Sequence, residues 1–196
     1  MSFLLLWFVF ATTVPVAAQE GWSDDDSGGY TDAQSMLTQA AHIFATRFNM
    51  RVYPLPTLKV VSREELRAVA SRISRGTAGG NLAGLYRTEY RGRTKTLSEI
   101  YVVTGLPEST TMAVVAHELA HAWQADNRRG GTSTELHEGF AEWAAYKVME
   151  SLGETGEVQR MLRRTDLYGR GLRRMLAIER SYGTQAVIRY ARNARG

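Results

Sequence analysis

The chain has 196 residues, 44% hydrophobic and 22% charged, with 18 Gly and 4 Pro, a composition that fits one folded domain and excludes a disordered or collagen-like chain. Cysteine is absent, which excludes disulfide frameworks, thiolate zinc sites, iron–sulfur clusters and thiol nucleophiles. The net charge of +4 is carried mainly by Arg, Lys standing only at Lys59, Lys95 and Lys147; no dense basic run occurs, so no nucleic-acid partner is expected.

Residues Phe3 to Phe10 are continuously apolar, and Val16 and Ala18 then place small side chains where signal peptidase requires them. Residues 1–18 are read as a cleaved secretory signal, although no Lys or Arg precedes Phe3. The apolar run is shorter than the roughly 20 residues of a spanning helix, so no stable membrane span is expected after cleavage. The product would be secreted or periplasmic. Residues 19–30, with Asp24-Asp25-Asp26 among Gly and Ser, read as a flexible linker; three consecutive Asp lack the alternate spacing of calcium loops. The folded domain is then 31–196.

Thr31 and Gln34 form a capping box, and Leu37, Ala40, Ala41, Phe44 and Phe48 recur at helical spacing, predicting a first helix that ends near Asn49. Leu58–Val61 predicts a short strand, and Ser62 with Glu65 caps a second helix that ends before Gly76. Two β-rich runs, 85–90 and 97–104, predict a hairpin joined by 91–96. From Glu108 the pattern is helical over 108–126, 135–152, 157–164, 170–182 and 184–192, punctuated by Gly153, Gly169 and Gly183. The expected class is α+β, a small and mostly antiparallel sheet with a helical C-terminal half.

His117-Glu118-Leu119-Ala120-His121 sits in the predicted helix 108–126. Two His four residues apart share one helix face, so both imidazoles reach one zinc ion, and Glu118 beside them meets the water such an ion holds. Val115, Leu119 and Ala122 form a packing stripe on the opposite face. A tetrahedral catalytic site needs a third protein ligand. Glu135-Leu136-His137-Glu138-Gly139-Phe140-Ala141-Glu142-Trp143 follows after one loop and offers His137 or Glu138. Glu138 and Glu142 share one helix face, opposite a stripe of Leu136, Phe140, Trp143 and Ala144. The metzincin pattern fails, because Gln124 and Asn127 stand where it requires Gly and His. His42, without a partner pattern, reads as structural.

The segments HELAHAW and HEGFAEW together resemble the gluzincin zinc metallopeptidases, and among them a small group related to the peptidase domain of plant LIM-containing growth-regulating proteases. The resemblance covers roughly residues 97–185. It implies a zincin-like fold with an active-site helix on a small sheet, a Zn²⁺ cofactor, His117, His121 and Glu138 as ligands, Glu118 as general base, and Glu142 as the acid that hydrogen-bonds a ligand His. It also implies a peptide or protein substrate whose backbone pairs with an edge strand beside that helix, for which 97–104 is the candidate. Tyr168-Gly169-Arg170-Gly171 is similar to the Tyr-x-x-Gly segment of gluzincin aminopeptidases, which makes Tyr168 the candidate oxyanion donor, its alternative role being to close a helix-cap turn. The exopeptidase signature of those enzymes is absent. A second reading is a non-catalytic zincin-fold binding module that holds an anionic envelope polymer on Arg163, Arg164, Arg170, Arg173 and Arg174.

Overall fold

The computed structural model describes residues 10–13, 26–74, 82–127 and 133–193. Most of the expected leader and linker, the Gly-rich stretch 75–81 and residues 128–132 lie outside these. The described chain runs β1 (Phe10–Thr13), α1 (Asp26–Phe48), β2 (Thr57–Val61), α2 (Arg63–Ser74), β3 (Leu82–Arg91), β4 (Thr94–Val103), α3 (Glu108–Asn127), α4 (Thr134–Leu152), α5 (Thr155–Arg163), α6 (Leu167–Tyr182) and α7 (Thr184–Asn193). The α+β class and the helical C-terminal half agree with the sequence reading.

Two local expectations are corrected. The first helix begins at Asp26, not Thr31, so part of the expected linker is helical. Once Ala33, Leu37, Ala40 and Phe44 bury their side chains, each residue added to the end gains a hydrogen bond, and the helix propagates through the poorly disposed Gly28-Gly29. The hairpin turn is tighter than 91–96: β3 and β4 pair up to Arg91 and Thr94, and Gly92 takes the positive φ of 63° that short hairpin turns favour. The capping box at Ser62 is present, with the Ser62 amide donating to Glu65 Oε2 at 2.8 Å and the Glu65 amide donating to Ser62 Oγ at 3.1 Å.

The sheet order is β1-β3-β4-β2. β1–β3 and β3–β4 are antiparallel, whereas β2 runs parallel to β4, so the sheet is mixed, with antiparallel pairs in the majority. β4 lies between two neighbours and is not an edge, which removes 97–104 as the candidate substrate-pairing strand.

The sheet packs on α3. Val115, Leu119 and Ala122 are fully buried there as the stripe requires, but the opposite face, with His117 and His121, is buried as well. The apolar stripe of α4 supplies Phe140 and Trp143, which stack in series with Trp123 at centroid separations of 5.3 and 5.6 Å.

At the α4–α6 crossing the helices touch backbone to backbone. A Cβ on Gly139 would stand 2.6 Å from the Cα of Gly171, and one on Gly171 would stand 2.5 Å from the Cα of Gly139. Only paired glycines permit this approach, and it draws the start of α6 over the acidic face of α4. Gly171→Ala is expected to cost about 1–3 kcal/mol through overpacking, read as a lower denaturation midpoint; an unchanged midpoint would contradict the contact.

Candidate metal centre

Because α3 has 3.6 residues per turn, His117 and His121 project one above the other. Their Nε2 atoms are 3.1 Å apart. Glu138, from the facing turn of α4, closes the group with Oε2 at 3.2 Å from His117 Nε2 and 3.5 Å from His121 Nε2. All three residues are buried.

The three donors could hold a metal ion. Ligand bonds of about 2.0–2.1 Å in tetrahedral geometry separate neighbouring donor atoms by about 3.3–3.4 Å, which the three measured separations bracket. Two imidazoles and one carboxylate are moreover a ligand set of catalytic zinc, three protein donors with a fourth position for water. His137 does not join them: its ring lies flat on that of His121, centroids 4.7 Å apart and 8° from parallel. The choice between His137 and Glu138 therefore falls to Glu138.

The far sides of both rings are fixed. His117 Nδ1 donates to Glu142 Oε2 at 3.2 Å, and His121 Nδ1 donates to Gln124 Oε1 at 2.8 Å. Gln124 is itself oriented, since its amide nitrogen donates to the His137 carbonyl at 3.1 Å. With each Nδ1 so engaged, each Nε2 is the ring nitrogen left facing the shared point, the arrangement that second-layer partners impose on ligand histidines. Electrostatics favour positive charge there. Burial opposes protonation of His117, yet its hydrogen bonds to the Glu138 and Glu142 carboxylates raise its pKa to about 10. Burial pushes His121 down, while Glu138, despite a burial penalty, is held well below the usual carboxylate range by His121 and His117.

Glu142 links the centre to α6. Its Oε1 accepts from Arg164 Nη1 at 3.2 Å, and Arg164 Nη2 donates to Asp166 Oδ2 at 2.7 Å. The Arg164 side chain is only 9% exposed and its guanidinium stacks over the Tyr168 ring at 4.4 Å. This removes Arg164 from the expected Arg-rich surface and makes it a positioning residue. Tyr168 stands in the first turn of α6, whose cap is Asp166 rather than Tyr168, with the Gly169 amide donating to Asp166 Oδ1. Its ring centroid is 5.8 Å from that of His117. Burial, then the carboxylates of Glu138 and Glu118, push the Tyr168 hydroxyl far above its ordinary pKa, so it stays a proton-bearing donor.

Glu118 is fully buried between α3 and the sheet. A Cβ on Gly84 would lie 2.8 Å from Glu118 Oε1 and 2.5 Å from Val114, so β3 crosses α3 with its backbone against the carboxylate. One turn past His121, Ala125 lines an open groove of about 860 Å³ with Tyr53, Leu55 and Leu97. His42 is exposed on α1.

His117, His121, Glu138 and Glu142 therefore meet in one group with the Tyr168 ring beside it, while Glu118 packs against β3. Gln124, Arg164 and Gly84 were missed. Gln124 carried a usable signal, a polar residue seven positions after His117 and so on the same face, whereas Arg164 is one of many arginines in a connecting segment. No family model matches the chain, and no curated protein or solved structure does either.

Glu142→Gln is expected to weaken metal binding at this site about 10–100-fold, measured by competition with a chelating indicator. Unchanged affinity would remove Glu142 from the centre.

Proposed function

We propose that this protein is an exported, zinc-dependent metallopeptidase of gluzincin type with a zincin-like fold. The observation that carries the reading is the convergence of His117 Nε2, His121 Nε2 and Glu138 Oε2 within 3.5 Å beside a buried Glu118. Zinc held by these three residues would supply Lewis acidity and an acidified water.

Glu118 is the general base. It accepts a proton from the attacking water and returns it to the leaving amine nitrogen, so that the peptide C–N bond breaks as the new C–O bond forms and the proton count closes. Its position one residue after His117 sets it beside the metal point rather than on it, which fits proton transfer and not ligation. Tyr168, held protonated, donates to the oxygen of the carbonyl under attack. Arg164 acts at one remove: it orients Glu142 and packs on Tyr168, keeping the ligand-side and oxyanion-side partners in register. β3 is the strand whose backbone passes Glu118, and like β4 it lies between two neighbours.

The reading as a binding module for an anionic polymer is supported less. Arg164 is engaged inside the centre, and Arg170 and Arg174 face Glu135 at 3.8 and 3.9 Å, which leaves a smaller cationic face. A module that only held metal would also have no use for a carboxylate in the position of Glu118.

The test compares the wild type with Glu118→Gln on a quenched random-peptide library, with zinc content measured on both. About one zinc per chain in each protein is expected, with hydrolysis reduced at least about 10²-fold in the variant. Zinc in both and hydrolysis in neither would refute the peptidase reading, and Tyr168→Phe should lower kcat by about 10²–10³ while leaving zinc content unchanged.

A further inference from the structure

The open groove of about 860 Å³ beyond His121 contains none of the metal-centre residues. Its walls follow from two local patterns. Between α1 and β2, Met50, Val52 and Pro56 go into the core, so Arg51, Tyr53 and Leu55 are left outward on the groove. The other wall is the tip of the β3–β4 hairpin, where Arg93 follows the turn at Gly92. Leu97 and Ala125, both half-buried, line the space between. Tyr53 is 91% exposed, and with Leu55 it is among the few large apolar side chains left in solvent among the described residues. Apolar groups gathered in one concavity of ligand-site size mark a binding surface rather than scatter. The charges in the groove are unevenly committed. Lys95 and the Tyr90 hydroxyl both donate to Asp126, which answers that carboxylate and the negative end of the α3 dipole. Arg51 and Arg93 are exposed and make no hydrogen bond or ion pair among the described residues.

We propose that this groove docks an acidic peptide stretch, two of whose carboxylates meet Arg51 and Arg93 while an apolar side chain between them packs on Leu55 and Leu97. As a surface that selects substrates it rests on the peptidase reading above, whereas the binding itself does not require catalysis. A guanidinium fork pairs a carboxylate through two parallel hydrogen bonds, and an uncommitted one gives up no ion pair to do so. The chemistry favours a peptide over a nucleic acid. A phosphate backbone is held by a run of cations, but here two free guanidiniums flank an apolar base that also carries the Asp126 carboxylate. Ala125 stands seven residues beyond Glu118, hence on the same side of α3 and about 10 Å along its axis, a span of about three extended residues. The docked stretch is therefore remote from the bond that is cut. Contacts made there are the same before and during the reaction, so they lower KM and leave kcat unchanged.

The full chain tests this by fluorescence anisotropy, with Glu118→Gln in every chain used for binding so that no probe is cut. A labelled peptide of alternating glutamate and leucine is expected to bind at least about 5-fold more tightly than its glutamine counterpart, and more weakly as salt is added. Arg51→Gln with Arg93→Gln should remove that advantage. Both side chains are exposed and lie outside the metal centre, so metal content should not change. Charge reversal, Arg51→Glu with Arg93→Glu, should transfer the preference to a lysine–leucine peptide, which a general loss of structure would not do. With Glu118 intact, the glutamine double variant should raise KM about 5-fold for quenched substrates acidic away from the cut, at unchanged kcat. Selective binding with no hydrolysis by any chain supports the docking site and counts against the peptidase reading. Equal binding of the glutamate and glutamine peptides overturns the proposal, as does charge reversal without a change of preference. Tighter binding of a single-stranded oligonucleotide than of the acidic peptide overturns it as well.

Discussion

A protein interior accepts two imidazoles and two carboxylates side by side only when each polar atom faces a partner of the right kind. That requirement governs this molecule. His117 and His121 turn their Nε2 atoms to one point because Glu142 and Gln124 hold the other nitrogens, and Glu142 stays in place because Arg164 neutralises its second oxygen. Each element then has a task defined by the centre. α3 supplies the imidazoles and Glu118, α4 the carboxylates of Glu138 and Glu142, and the segment from α5 into α6 the guanidinium and the phenol. Removing one partner would strand a charge in low dielectric, a larger penalty than the surviving interactions could offset.

The paired glycines at the α4–α6 crossing solve a packing problem set by that same centre. Helices in contact usually stand 8–10 Å apart with side chains between them. A spacer at Gly139 or Gly171 would hold α6 off, and Tyr168 and Arg164 would lose contact with His117 and Glu142. The centre therefore depends on two residues that have no side chain to contribute.

Much of this was legible in the sequence because helical periodicity acts over short distances. The spacing of His117 and His121 fixes a shared face, and that of Glu138 and Glu142 fixes another, whatever the rest of the chain does. The capping residues at Ser62 likewise announced a helix start. What periodicity cannot convey is which faces meet. The ladder order that puts β4 inside the sheet arises from long-range pairing, and 97–104 looks the same in sequence whether it is central or at an edge. Gly84 closes the Gly-rich run 76–84 in sequence, yet it is a strand residue pressed against Glu118. The first helix starts early for a related reason, since tertiary burial overrides the weak local propensity of a Gly pair.

The hairpin tip adds one more constraint. Lys95 Nζ lies 2.6 Å from a carboxylate oxygen of Asp126, and the Tyr90 hydroxyl donates to the same carboxylate at 3.2 Å, fastening the far end of β3–β4 to the last turn of α3. A strand advances about 3.4 Å per residue and turns its side chains alternately up and down. If the hairpin slid by two residues along the helix, Leu82 or Tyr86 would be driven onto Glu118 in place of hydrogen. An ordinary-looking ion pair at the surface thus works as an index pin, setting which single residue of the strand meets the carboxylate about two turns of helix away.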